Sequence, residues 1–242
     1  MITDEEVPAG TVFVFFDESY EPFVGAAAAS FEASDVAAVE GRIESAHSTL
    51  AEDFYLDGLG SYDEFLEKGF HATVDTTEVS THFIRFLAHT ASFKTSIVFS
   101  DGTTHPALSP KKRLMVVFDR LLTDVLRQYR SRPMLVLIFE SAQELDPYVR
   151  KVVERAARRQ RRSVPRLHIE FRPKRDPHIL AVPDYVLHIF NAWLERPESE
   201  EGTKLDPTTF RARDLRSVLG SISEARSLEG DVLIRRNTAL LP

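Results

Sequence analysis

Two strongly apolar stretches of this chain end in acid. TVFVFF (11–16) runs into Asp17 and Glu18, and PMLVLIF (133–139) runs into Glu140. A third carboxylate, Asp184, lies near the start of another apolar stretch, VPDYVLHIFNAWLE (182–195). Carboxylates at the ends of buried segments lose hydration and repel one another, a cost that a divalent cation removes. With oxygen ligands only, and no cysteine in the chain, such a cluster suits Mg²⁺ or Mn²⁺. Adjacent strand residues point to opposite faces, so Asp17 and Glu18 cannot share one site unless the strand breaks there. Asp17 and Glu140 converge if their strands are parallel neighbours. Each acid alone also has a plain structural reading. Asp17-Glu18 can begin a turn or pair with an arginine, and Glu140 can end a strand at the surface. Asp184 can simply favour a helix N-terminus. The joint pattern is what points to a metal.

The elements that must bring these acids together can be read from periodicity. Strands are expected at 11–17, 23–31, 94–100 and 133–140, and again at LHIEFRP (167–173). The run at 133–140 is apolar throughout, as in a strand covered on both faces. Helices are expected after Ser34-Asp35, where Val36, Val39, Ile43, Ala46 and Leu50 share a face, and after Thr76 or Thr77. Others are expected at about 111–130, at about 146–162, and at 182–195, opened by Pro183. A pair of strands followed by alternating strands and helices implies a mixed α/β sheet with helices on its faces. In such sheets ligands gather beyond the carboxyl ends of strands. Phe83, Phe86, Phe118 and Trp193 fall at helical spacing among aliphatics and belong to the core.

Of the 242 residues, 43% are hydrophobic and 28% charged, the balance of one large globular domain with an appendage. The acidic MITDEEVPAG start lacks the basic and apolar regions of a secretory signal, and no apolar run is long enough to span a bilayer. A cytoplasmic protein without membrane contact is expected. The net charge of −7 argues against promiscuous nucleic-acid binding. Residues 150–175, however, carry eleven basic side chains against Glu154 and Glu170, which permits a local polyanion contact. The arginines of the 146–162 helix read more readily as a solvated face. Lys174 and Arg175 lie in a loop that should border the acids, and are the candidate phosphate-binding groups. Residues 208–242 are expected to hold a short helix and a short strand, VLIR, and to pack on the main domain or on a second copy of the chain, which would make a homodimer.

FFDES (15–19) and LAVPDYVLHIF (180–190), with an apolar second strand, a histidine segment GFHATVD and a late-strand acid, resemble the DUF3800 family. The resemblance covers about 11–195. Tyr20 stands where that family usually has Gly, and Ala181-Val182-Pro183 replaces its Gln-Leu-Ala. The resemblance implies a ribonuclease H-like sheet, strand order 3-2-1-4-5, with helices on both faces. It implies such a domain over 1–196, with a linker and C-terminal extension over 197–242. It also makes strands 1 and 4 neighbours, the adjacency that the acids need. Matched residue by residue, it implies catalytic roles for Asp17, Glu18, His71, Glu140 and Asp184. Asp17, Glu140 and Asp184 would hold one or two Mg²⁺ or Mn²⁺ ions, and Glu18 would act through a water or from behind the ligands. The residues alone do not rank His71 above His178; the family match selects His71, whose ordinary pKa suits a proton shuttle. The expected function is a metal-dependent phosphodiesterase acting on nucleic acid. The alternatives are a catalytically inactive ribonuclease H-like module that binds a protein or nucleic-acid partner, and an enzyme acting on another phosphorylated substrate.

Overall fold

The structure, a computed structural model, describes residues 7–90, 92–103, 106–160, 164–195, 209–230 and 232–235. Arg161 and Arg162 of the basic run and most of the expected linker, 196–207, lie outside the described residues. The strands are β1 (Val12–Ser19), β2 (Val24–Glu32), β3 (Phe93–Ser100), β4 (Met134–Glu140), β5 (Arg166–Arg172), β6 (Ile222–Ser227) and β7 (Val232–Arg235). The helices are α1 (Ala33–Ala51), α2 (Tyr62–Lys68), α3 (Thr77–Ala88), α4 (Pro110–Gln128), α5 (Asp146–Arg159), α6 (Ala181–Leu194) and α7 (Phe210–Leu219). No helix among the described residues is long and apolar enough to cross a membrane.

All seven strands form one mixed sheet in the order β5-β4-β1-β2-β3-β6-β7. β2 runs antiparallel to both β1 and β3, whereas β4 runs parallel to β1 and β5 parallel to β4. The expected five-strand order is therefore corrected. The run 3-2-1-4-5 is present, but the sheet continues past β3 through β6 and β7. These strands come from the C-terminal segment, where only a short helix and the strand VLIR were expected. β6 escapes notice because its sequence, ISEARS, buries only Ile222 and Ala225. It forms because Thr95–Phe99 of β3 need a partner on their outer side, and Ile222–Ser227 supply it in parallel register.

Alternation along the strands sorts the core into two layers. Phe15, Ala27, Ala29, Ile97, Val136 and Ile138 face α1, α3, α6 and α7. Val14, Phe16, Ala26, Ala28, Leu135 and Leu137 face α4 and α5. The four consecutive alanines of β2 let α6 and α4 both lie directly on the sheet. Covering on both faces explains why β4 is apolar until Glu140. Thr76 and Ser109 cap α3 and α4 through their side-chain oxygens, and Pro110 occupies the first turn of α4. α6 begins at Ala181, after a 3-10 turn at His178–Leu180, two residues earlier than Pro183 suggests.

Candidate active site

The ends of β1 and β4 set two of the acids side by side. The parallel register pairs Phe16 with Phe139, so Asp17 and Glu140 stand one step further along neighbouring strands. Both lie two residues beyond members of the same core layer, Phe15 and Ile138, and so point toward α6. α6 packs against β1 and brings Asp184 to the same place. The start of α6 is fixed by Glu40 of α1, whose carboxylate accepts the backbone N–H groups of His178 (2.7 Å) and Ile179 (2.9 Å). The Asp184 carboxylate is held in turn by the Ala72 backbone N–H at 2.8 Å.

The three acids share one point in space, and that point is occupied by the ammonium of Lys174. Its Nζ lies 2.8 Å from Asp184 Oδ2, 3.4 Å from Glu140 Oε2 and 3.7 Å from Asp17 Oδ1. Asp17 and Asp184 are 4% and 6% exposed, and the Lys174 side chain 8%. Among the described residues, no three acidic or histidine side chains are arranged to hold a metal as they stand. The physical reason is spacing: these oxygens surround an ammonium, whereas Mg²⁺ takes oxygens at about 2.0–2.1 Å.

One ammonium does not satisfy this much negative charge. Burial, above all, raises the Asp17 pKa well above the usual carboxylate range; Lys174 opposes the rise, and Asp184, Glu18 and Glu140 add to it. Glu18 is pushed up to about 7, first by burial and then by Glu140. Asp184 behaves oppositely. Burial works to raise it, but Lys174, His71 and the Ala72 N–H overcome that and hold it below its ordinary value. Burial acts to lower the Lys174 pKa, yet Asp17, Asp184 and Glu140 hold it well above the usual lysine value.

Glu18 yields a test of this charge excess. A carboxyl group whose folded pKa is raised binds a proton more tightly in the folded chain than in the unfolded one. Metal-free protein should therefore lose stability as pH rises from about 4.5 to about 7, and stay at the lower level above that. Glu18→Gln removes this contribution. The variant should be more stable than wild type at pH 8, by about 1–2 kcal/mol, and should differ little at pH 4.5. Urea unfolding at both pH values in the presence of a chelator measures the difference. Equal stabilities at pH 8 would contradict a crowded, under-neutralised cluster.

His71 reaches the site from a tight turn. Its backbone N–H donates to Asp75 Oδ2 at 2.8 Å, and its carbonyl accepts from Val74 and Asp75. Tyr185 of α6 donates its hydroxyl to the same Asp75 oxygen, tying this turn to the Asp184 helix. His71 Nδ1 sits 3.0 Å from Thr73 Oγ1 and 3.7 Å from Asp184 Oδ2. Burial, then the Lys174 charge, lowers its pKa below the ordinary histidine value. A neutral imidazole facing the pocket is thereby favoured near pH 7.

A cavity of about 940 Å³ opens over the cluster, bordered by Tyr20, Ser141, Leu187 and His188 among others. Asp17, Glu18, His71, Glu140, Lys174 and Asp184 all line it. The expectation that Glu18 could not share a site with Asp17 without a strand break is therefore corrected: β1 runs unbroken to Ser19 and both reach the cavity at its end. Arg175 does not: its guanidinium turns away and donates to the Glu67 carbonyl at 2.9 Å. His178 packs beside His47, with ring centroids 5.6 Å apart and the planes tilted by 35°, and also lies outside the cavity. The basic helix is engaged elsewhere, with Arg155 and Arg159 meeting Asp119 and Arg150 lying over Phe171. Phe83, Phe118 and Trp193 are buried, and Phe86 is partly buried against the layer that holds Phe83 and Trp193, as core residues.

Three participants escape the sequence reading. His188 and Asn191 line the cavity four and seven residues after Asp184, on one face of α6, a spacing that was there to be seen. Asn191 Nδ2 donates to Ser19 Oγ at 3.1 Å, linking α6 to the end of β1. Asp75 carries no local signal at all, because its role depends on Tyr185, 110 positions away. A scan against protein-family models, a search of curated proteins and a search of solved structures found no match.

Proposed function

We propose that this protein is a divalent-metal-dependent phosphodiesterase acting on nucleic acid, built on a ribonuclease H-like core. The observation that carries the proposal is the meeting of Asp17, Glu140 and Asp184 around one cationic point at the floor of an open cavity. The fold reading is supported by the contiguous run β3-β2-β1-β4-β5, with antiparallel pairing up to β1 and parallel pairing beyond it. The resemblance of FFDES and LAVPDYVLHIF to the DUF3800 family points the same way.

The donor set fits a hard cation: oxygen ligands only, on one side of the sheet, with more negative charge than Lys174 neutralises. Asp17, Glu140 and Asp184 would hold the ion, which when bound supplies Lewis-acid stabilisation of charge on a phosphoryl oxygen. His71, neutral and facing the cavity, accepts the proton of the attacking water. Ala72 and Tyr185, through Asp184 and Asp75, hold the ligand and the base at fixed separation. Lys174 supplies the positive charge that a phosphodiester requires. Tyr20, 41% exposed at the rim, limits which substrates enter.

A cleavage panel tests the proposal: single- and double-stranded RNA and DNA, each with Mg²⁺, Mn²⁺ or chelator. Cleavage of at least one substrate is expected with metal, and none with chelator. Metal-independent cleavage, or the same cleavage by Asp17→Asn, would assign the activity to another site. A second reading, an inactive module that binds a partner, is favoured by one observation: Lys174 already sits among all three acids. It predicts nucleic-acid or protein binding without cleavage under every metal condition.

A further inference from the structure

The ammonium and a divalent ion cannot both occupy the centre of the acid cluster. Three carboxylates face Lys174 Nζ from within 3.7 Å, and a second cation brought to the same oxygens would meet the ammonium at contact distance. Yet Lys174 is not built into the sheet or a helix. It sits in the loop between β5 and the 3-10 turn, where the backbone folds through the Asp176 N–H to the Pro173 carbonyl at 2.9 Å. Its side chain turns about four single bonds, and the cavity of about 940 Å³ lies directly beside it. The ligands come from different elements: Asp17 and Glu140 from strand ends, Asp184 from a helix held by Glu40.

From this we infer that Lys174 is a tethered counter-ion. It holds the acid cluster together in the metal-free protein, gives up its place when a divalent ion binds, and then presents its ammonium to substrate phosphate within the same cavity. The inference rests on the metal-dependent reading above and adds to it a competition within the chain. A cluster occupied by its own lysine for most of the time binds metal more weakly by the fraction of time it is free. The same occupation protects these three close carboxylates from mutual repulsion before metal arrives.

The test uses Mn²⁺ and the full-length protein. A pulse of N-hydroxysuccinimidyl acetate, read by peptide mass spectrometry, reports how accessible the Lys174 amine is. In wild type, Mn²⁺ should raise acetylation of Lys174 by about tenfold or more, with no comparable change at Lys94 or Lys151. In Asp17→Asn the increase should be lost or strongly reduced. Calorimetric titration of Lys174→Met at pH 8 should give Mn²⁺ binding about tenfold tighter than wild type. If wild type binds Mn²⁺ while Lys174 stays protected, the counter-ion inference fails and the metal-dependent reading stands. If Lys174→Met binds Mn²⁺ but wild type does not, the competition holds and the wild-type enzyme reading fails. If neither binds Mn²⁺, both fail. The labelling experiment needs no lysine variant, so it decides the inference even if Lys174→Met does not fold.

Discussion

Asp184→Ala is expected to destabilise the fold by about 3 kcal/mol, measured by urea or guanidinium unfolding of metal-free protein at pH 7. Asp184 is 6% exposed and accepts two hydrogen bonds, from Lys174 Nζ and from the Ala72 N–H, each at 2.8 Å. Removing one partner of a buried ion pair costs about 3–5 kcal/mol, because the other charge stays behind without compensation. The lower end applies because Asp17 and Glu140 still face the ammonium. The Ala72 N–H also loses its acceptor, which frees the turn carrying His71. Asp184→Asn keeps the shape and one acceptor oxygen, and should cost less. A loss under about 1 kcal/mol for Asp184→Ala would show that Lys174 and the turn do not depend on this carboxylate.

Asp17→Asn should do the reverse. Its charge is held in a place that disfavours it, since burial, aided by Asp184, Glu18 and Glu140, raises its pKa well above the usual range despite Lys174 at 3.7 Å. Replacing that charge by an isosteric amide should leave stability unchanged or raise it at pH 7–8. Cleavage, by contrast, should fall by about 10²–10³-fold or more, the loss typical of deleting one preorganised electrostatic contact at a reacting centre. The pairing of retained stability with lost turnover separates a chemical role from a scaffolding one. Thermal melts beside initial rates supply both numbers. A variant that unfolds, or one that cuts at the wild-type rate, would remove Asp17 from the proposed chemistry.

The contrast between these two acids was only partly legible in the sequence. That Asp17 and Glu140 could share one site, given neighbouring parallel strands, followed from simple rules, whereas Asp184 joined them through the joint pattern of acids and the family resemblance. Apolar runs ending in acid mark strand ends, and strand parity places Asp17 and Glu140, not Glu18, on one face. Adjacency of β1 and β4 came from the family resemblance, not from periodicity. The differing electrostatics of Asp17 and Asp184 could not be read, because they depend on which of them Lys174 approaches most closely. A lysine reaching inward and an arginine reaching outward are also indistinguishable as neighbours in PKRD. Lys174 turns into the cluster, whereas Arg175 turns to the Glu67 carbonyl. Long side chains take their direction from the field around them, which no local pattern records. The same limit hid β6, where only two buried side chains mark a strand whose existence depends on the open side of β3.

At the opposite end of the sheet from β7, β5 has, among the described residues, a strand partner on one side only, β4. One of its faces carries Arg166, His168, Glu170 and Arg172, with Glu170 bridged by His168 at 2.8 Å and by Arg172 at 2.7 Å. A strand border studded with charge in this way resists zipping to an identical border on another molecule, since joining would strip water from every one of these groups. If two copies of the chain associate, they are steered away from extending a continuous ribbon across β5.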